Sequence, residues 1–132
     1  MFKSPQNNEK YFWTAHVVEK MRFYGISESR VKRVIRFPER TEEGIVEDTI
    51  AVMQPNSMIT GKDGRKTWKQ EIWVMYVLVK SFIKKEKKEK NLENFMLSDK
   101  RIKIITAWRY PGVSSKRDPI PEDVLGEIRN LL

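Results

Sequence analysis

The chain has 132 residues, 39% of them apolar, which is enough for one ordinary core and argues against disorder. Lysine and arginine number 26 against 18 acidic residues, and the resulting net charge of +8 suits a polyanionic partner such as RNA or DNA. Cysteine is absent and His16 is the single histidine, which excludes disulfides, thiolate centres and histidine-rich metal sites; no metal and no cofactor are expected.

Residues 1–10 are polar and read as a loose arm of a single domain spanning 1–132, without a signal-peptide pattern. No run approaches the ~20 apolar residues of a membrane helix. The expectation is a cytoplasmic protein with no membrane partner. Tyr11, Phe12 and Trp13 form an aromatic run that suits a hydrophobic staple or a short edge strand.

From Thr14 to Pro38 the spacing predicts a helical hairpin. Thr14 is a good N-cap, and Val17, Val18, Met21 and Tyr24 recur at helical spacing. Gly25 fits the left-handed position past a helix end, and Ser27 caps a second helix. That helix turns Val31, Val34 and Ile35 inward and ends before Pro38. Off the apolar stripe, His16, Lys20 and Phe23 share one flank of the first helix. Arg30 and Arg33 lie on one side of the second helix, and Lys32 and Arg36 on the other. A solvated charged face is the plain alternative for all of them.

The motif H-x3-K-M-x2-Y-G-I-S, followed by a basic amphipathic helix and a proline, resembles the BrnT-like and RelE/ParE-like toxin superfamily. It is most similar to an uncharacterised branch reading roughly H-x3-R-M-x2-R-G-I-S. His16, Met21, Gly25, Ile26 and Ser27 match that pattern, while Lys20 and Tyr24 stand where the branch has arginines.

Beyond Pro38, residues 40–43 read as a polar connection and residues 44–53 as a strand stopped by Pro55. Asp63-Gly64 signals a turn into an antiparallel partner beginning at Thr67, whose nearly continuous apolar run suits a central strand. The lysine-rich residues 84–98 read as a charged insertion between strands. Residues 101–109 form the third strand, with Ile102, Ile104, Thr106 and Trp108 on one face. Asp118 is positioned to cap a last helix starting near Pro119 or Pro121. The expected fold is α+β, with the helical hairpin and a C-terminal helix packed on a small antiparallel sheet in the order α-α-β-β-β-α. The resemblance implies a RelE-like arrangement of these elements.

The resemblance also implies an activity: metal-independent RNA cleavage, in some members on the ribosome, silenced by an antitoxin-like partner protein. Attack by a ribose 2′-hydroxyl needs a proton acceptor, cations for the phosphorane charge and a proton donor. The candidates are His16 as base or acid, Lys20 for charge stabilisation and Arg109 as a phosphate clamp, with Tyr24 or Tyr110 as donor or stacking partner. Arg30, Arg33, Arg36, Lys116 and Arg117 are candidate nucleic-acid contacts. Two readings stay open: an endoribonuclease toxin, and a non-catalytic RNA- or DNA-binding module or small adaptor protein of the same fold.

Overall fold

The computed structural model describes residues 2–43, 46–80, 100–116 and 118–131. The charged insertion at 84–98 therefore lies outside the described residues. The elements in chain order are β1 (Tyr11–Trp13), α1 (Ala15–Tyr24), α2 (Glu28–Arg36), β2 (Arg40–Glu43), β3 (Ile50–Thr60), β4 (Lys66–Lys80), β5 (Lys100–Pro111) and α3 (Glu122–Leu131). The protein is α+β, as expected. Among the described residues, however, the sheet has five strands in the order β1-β5-β4-β3-β2, and it is mixed because β1 pairs parallel with β5.

The hairpin forms where the caps place it. Thr14 and Ser27 each accept a backbone N–H three residues on, from Val17 and Arg30. Gly25 takes φ 69°, a conformation that disfavours any Cβ, and its N–H bonds Met21 O. Thr14 also donates its hydroxyl to Ile104 O at 2.8 Å, which ties the start of α1 to β5.

Three expectations about the strands need correction. Residues 40–43 are not a connection but the edge strand β2, paired with Ile50–Met53 despite their polar composition. The strand expected over 44–53 instead begins at Ile50 and runs on through Pro55 to Thr60 as β3. Met53 O bonds outward to Glu39, and residues two apart point their backbone groups to the same side. The missing N–H of Pro55 therefore faces an edge that β2 has already left, where proline is tolerated. In β5 the alternation does not hold, because a bulge opposite Met75 and Tyr76 inserts one extra residue. Ile104 and Ala107 consequently face one side and Trp108 the other.

The hairpin covers one face of the sheet, burying Val17, Met21, Val31 and Val34 against Val52, Ile72, Val74 and Ile104. Helix α3 covers the other, burying Val124 and Ile128 with Met53, Trp73, Met75 and Trp108. Asp118 does not cap it; Asp118 bridges back to Ser115, and the helix opens with Leu125 N bonded to Pro121 O.

On the α3 face sits Glu71, with no exposure at all. A buried carboxylate costs several kcal/mol unless its lone pairs are satisfied. Here Trp68 Nε1 and Trp73 Nε1 donate to it at 2.8 Å each, and Ser114 donates through Oγ at 2.6 Å and through its backbone N at 3.1 Å. Arg40 stands 3.7 Å away, stacked over the Trp73 ring and bonded to Ser114 O, Ser115 O and Glu42. Burial raises the carboxyl's pKa, but the bonds from Ser114, Trp73 and Trp68 together outweigh it, and the net shift is downward.

A carboxylate with a depressed pKa in the fold contributes stability above its unfolded pKa and loses it as pH falls through the folded one. Glu71→Gln puts an amide among four donors and is expected to cost about 3 kcal/mol at pH 7. Urea unfolding of both proteins from pH 7 down to pH 3 is expected to show that difference shrinking on the acid side.

Candidate nucleic-acid interface

Three arginines converge at the corner between α1 and α2. Arg30 and Arg33 come from α2, one turn apart, and Arg109 comes from the hairpin face of β5. Together with Gly25, Ser27 and Asn56 they line a cleft of about 220 Å³. Among the described residues, no acidic side chain lines it.

Two of the three guanidiniums, those of Arg30 and Arg109, are held by neutral acceptors. Arg30 donates from Nε to Gln54 Oε1 and from Nη2 to Pro55 O, both at 3.2 Å. Arg109 donates from Nε to Tyr24 O at 2.8 Å and from Nη1 to Gln70 Oε1 at 2.7 Å, with Gly25 O at 3.4 Å. Gln54 in turn donates to the carbonyls of Arg33 and Phe37, closing the end of α2. Partial burial lowers the pKa of Arg30, and the positive charges of Arg33 and Arg109 lower it further. An anion bound in the cleft would relieve that mutual repulsion. A phosphate or carboxylate matches the planar donor forks.

The other predicted residues lie elsewhere. His16 and Lys20 meet Glu127 of α3, with His16 Nε2 at 3.7 Å and Lys20 Nζ at 2.9 Å from its Oε1. Lys20 also stands 5.6 Å from the ring of Phe23, which is 75% exposed. Arg109 binds the far end of α1, about 12 Å along the helix axis from His16. The expected grouping of His16 and Lys20 with Arg109 is therefore not brought together. Burial raises the pKa of Tyr24; Lys20 opposes the rise, and Asp123 and Glu127 add to it, so the phenol keeps its proton. Tyr110 packs against the α3-side core.

Arg36 is exposed one turn past Arg33, outside the cleft lining. Lys116 is exposed in the loop that Glu71 and Arg40 hold on the α3 face. Arg117 lies outside the described residues. Sequence reasoning missed Gln54 and Gln70, the neutral side chains that orient Arg30 and Arg109, and Asn56, which donates to Gln70. Their only signal was polarity inside two strands, which ordinary solvent-facing positions share.

Among the described residues no group of three or more histidine or acidic side chains forms a metal site. No described helix is long and apolar enough to cross a membrane. No family model, curated protein or solved structure matches the chain.

Arg109 also works structurally, because it ties β5 to the end of α1. Arg109→Lys keeps the charge but replaces a planar fork with a compact point charge that cannot reach both acceptors in the same geometry. The substitution is expected to cost roughly 1.5 kcal/mol in urea unfolding.

Proposed function

We propose that the protein is a nucleic-acid-binding module whose arginine cleft seats one backbone phosphate. The observation that carries this reading is the set of three guanidiniums around a cleft without an acidic side chain among the described residues. Neutral acceptors orient two of them without cancelling their charge, which leaves the charge available to a ligand. The net charge of +8 supports attraction to a polyanion over distance. RNA and DNA phosphates are equivalent to such a cleft. RNA is the ligand that the toxin-superfamily resemblance implies, and a cytoplasmic setting goes with it. The helical hairpin set on antiparallel strands supports the RelE-like arrangement that the same resemblance implies.

A second reading is metal-independent RNA cleavage of the toxin type, on free or ribosome-bound RNA and silenced by an antitoxin-like protein. The adjacency of His16, Lys20 and Glu127 favours it, since the three supply a proton acceptor, a cation and a carboxyl. It ranks second because Arg109 stands at the opposite end of α1 from His16, so the two do not attend one phosphate.

The test is fluorescence anisotropy with labelled RNA and DNA over a salt series, for wild type, an Arg30→Ala, Arg33→Ala double variant and Arg129→Ala as a surface control. Log affinity is expected to fall linearly with log salt. The double variant is expected to bind about tenfold more weakly with a slope lower by about 1 to 2, while the control is unchanged. Equal slopes for wild type and the double variant would overturn the phosphate seat. RNA integrity in EDTA, with His16→Ala alongside, decides the second reading: cleavage lost in that variant would promote it.

A further inference from the structure

The sheet does not end evenly. β2 stops opposite Met53, and β5 stops opposite Gln70. Past those points β3 and β4 continue paired with each other, through Met58 with Trp68, Ile59 with Thr67 and Thr60 with Lys66, and the last bond from the β5 side is Gly112 N to Lys69 O at 2.7 Å. A turn closes them, with Gly61 N bonded to Arg65 O at 2.7 Å and Gly64 at φ 82°. The result is a two-stranded ribbon. The four residues of each strand past Asn56 and Gln70 span about 13 Å at roughly 3.3 Å per residue.

Every residue from 57 to 67 is exposed. The ribbon carries Lys62, Arg65, Lys66 and Lys69 against one acid, Asp63, which lies 3.5 Å from Arg65. Met58 and Ile59 add exposed apolar surface, at 41% and 45%. A projecting ribbon with open edges invites pairing with a second copy, and lysines along it oppose that. The same lysines suit a polyanion. At the root of the ribbon Asn56 and Gln70 bond each other at 3.2 Å; Asn56 also lines the arginine cleft, and Gln70 holds Arg109. The root of the basic ribbon thus adjoins the arginine cleft.

The shape selects among nucleic acids. The major groove of B-form DNA, about 12 Å wide and 8.5 Å deep, admits a two-stranded ribbon. The major groove of an RNA duplex is too deep and narrow for one. A single strand offers no groove. We infer that the β3–β4 ribbon enters the major groove of duplex DNA while the arginine cleft holds the flanking phosphate backbone. This rests on the nucleic-acid reading above and names its substrate class. Lys62, Lys66 and Lys69 reach the groove walls, and Met58 and Ile59 offer apolar contact to thymine methyl groups.

The experiment compares a DNA duplex, an RNA duplex of the same sequence and the separate strands in one buffer. The proteins are wild type, a Lys62→Ser, Lys66→Ser, Lys69→Ser variant and Arg33→Ala, each checked for folding by circular dichroism. Wild type is expected to bind the DNA duplex about tenfold or more tightly than the other ligands. The lysine variant is expected to lose that preference while keeping its affinity for single strands within about threefold. Arg33→Ala is expected to weaken all ligands alike. Equal wild-type affinity for all ligands would overturn the ribbon's role and leave the phosphate seat standing, as would a lysine variant that keeps the DNA preference. No binding to any ligand would overturn both.

Discussion

The buried Glu71 carboxylate sets the terms on which the rest of the sheet is arranged. Its four hydrogen bonds come from two indoles on its own strand and from Ser114, in the loop between β5 and α3. Ser114 Oγ also accepts from Arg40 at 2.9 Å, and Arg40 belongs to β2 at the opposite edge. One charged group therefore links the centre of the sheet, its far edge and the entry to the last helix. The alternative to this network is an unpaired charge with no access to water, so its members are expected to form or fail together.

The same constraint fixes what happens on the opposite face. Successive residues in a strand point to opposite sides, so holding Glu71 toward α3 holds Gln70 toward the helical hairpin. A slip of one residue would exchange the two faces. It would place Glu71 beside Arg109 and remove Gln70 from it, leaving a carboxylate in the arginine cleft. That no acidic side chain among the described residues lines the cleft is thus tied to the register that the buried network enforces.

Much of the fold was legible in the sequence, because local rules act strongly in the hairpin. The caps at Thr14 and Ser27 and the left-handed Gly25 are short-range chemistry, and the structure places them as read. The sheet was less legible, for three physical reasons. The polar residues of β2 pair because an edge strand needs only half its surface buried, and composition does not reveal that. Pro55 reads as a stop unless the strand's outer neighbour is known to end first. A bulge in β5 leaves no signature in the sequence, yet it moves Trp108 to the other face. The site divides in the same way. The arginines of α2 were legible as a basic side of a helix, and Arg109 as a cation at a strand end. Their convergence was not, since it depends on Gln54, Asn56 and Gln70, which resemble ordinary surface amides. His16 and Lys20 were paired correctly by helical spacing, but their partner Glu127 lies 107 residues beyond Lys20, past anything periodicity can reach.

Arginine has two fates in this molecule, and the contrast bears on function. Arg40 stands beside the carboxylates of Glu42 and Glu71, so its charge is largely answered within the protein and its place is structural. Arg30 and Arg109 bond only neutral oxygens among the interactions described, so their orientation is fixed while their charge stays outstanding. Two like charges held near a third, Arg33, carry a repulsion that folding alone does not relieve. A carboxylate could have fixed either guanidinium as firmly and removed that repulsion. Amide and carbonyl acceptors instead hold the side chains in place before any ligand arrives, which lowers the ordering cost of binding and leaves the full electrostatic gain to the ligand. A surface meant only to keep the protein soluble has no need of such holding, since exposed lysines achieve that without fixed partners.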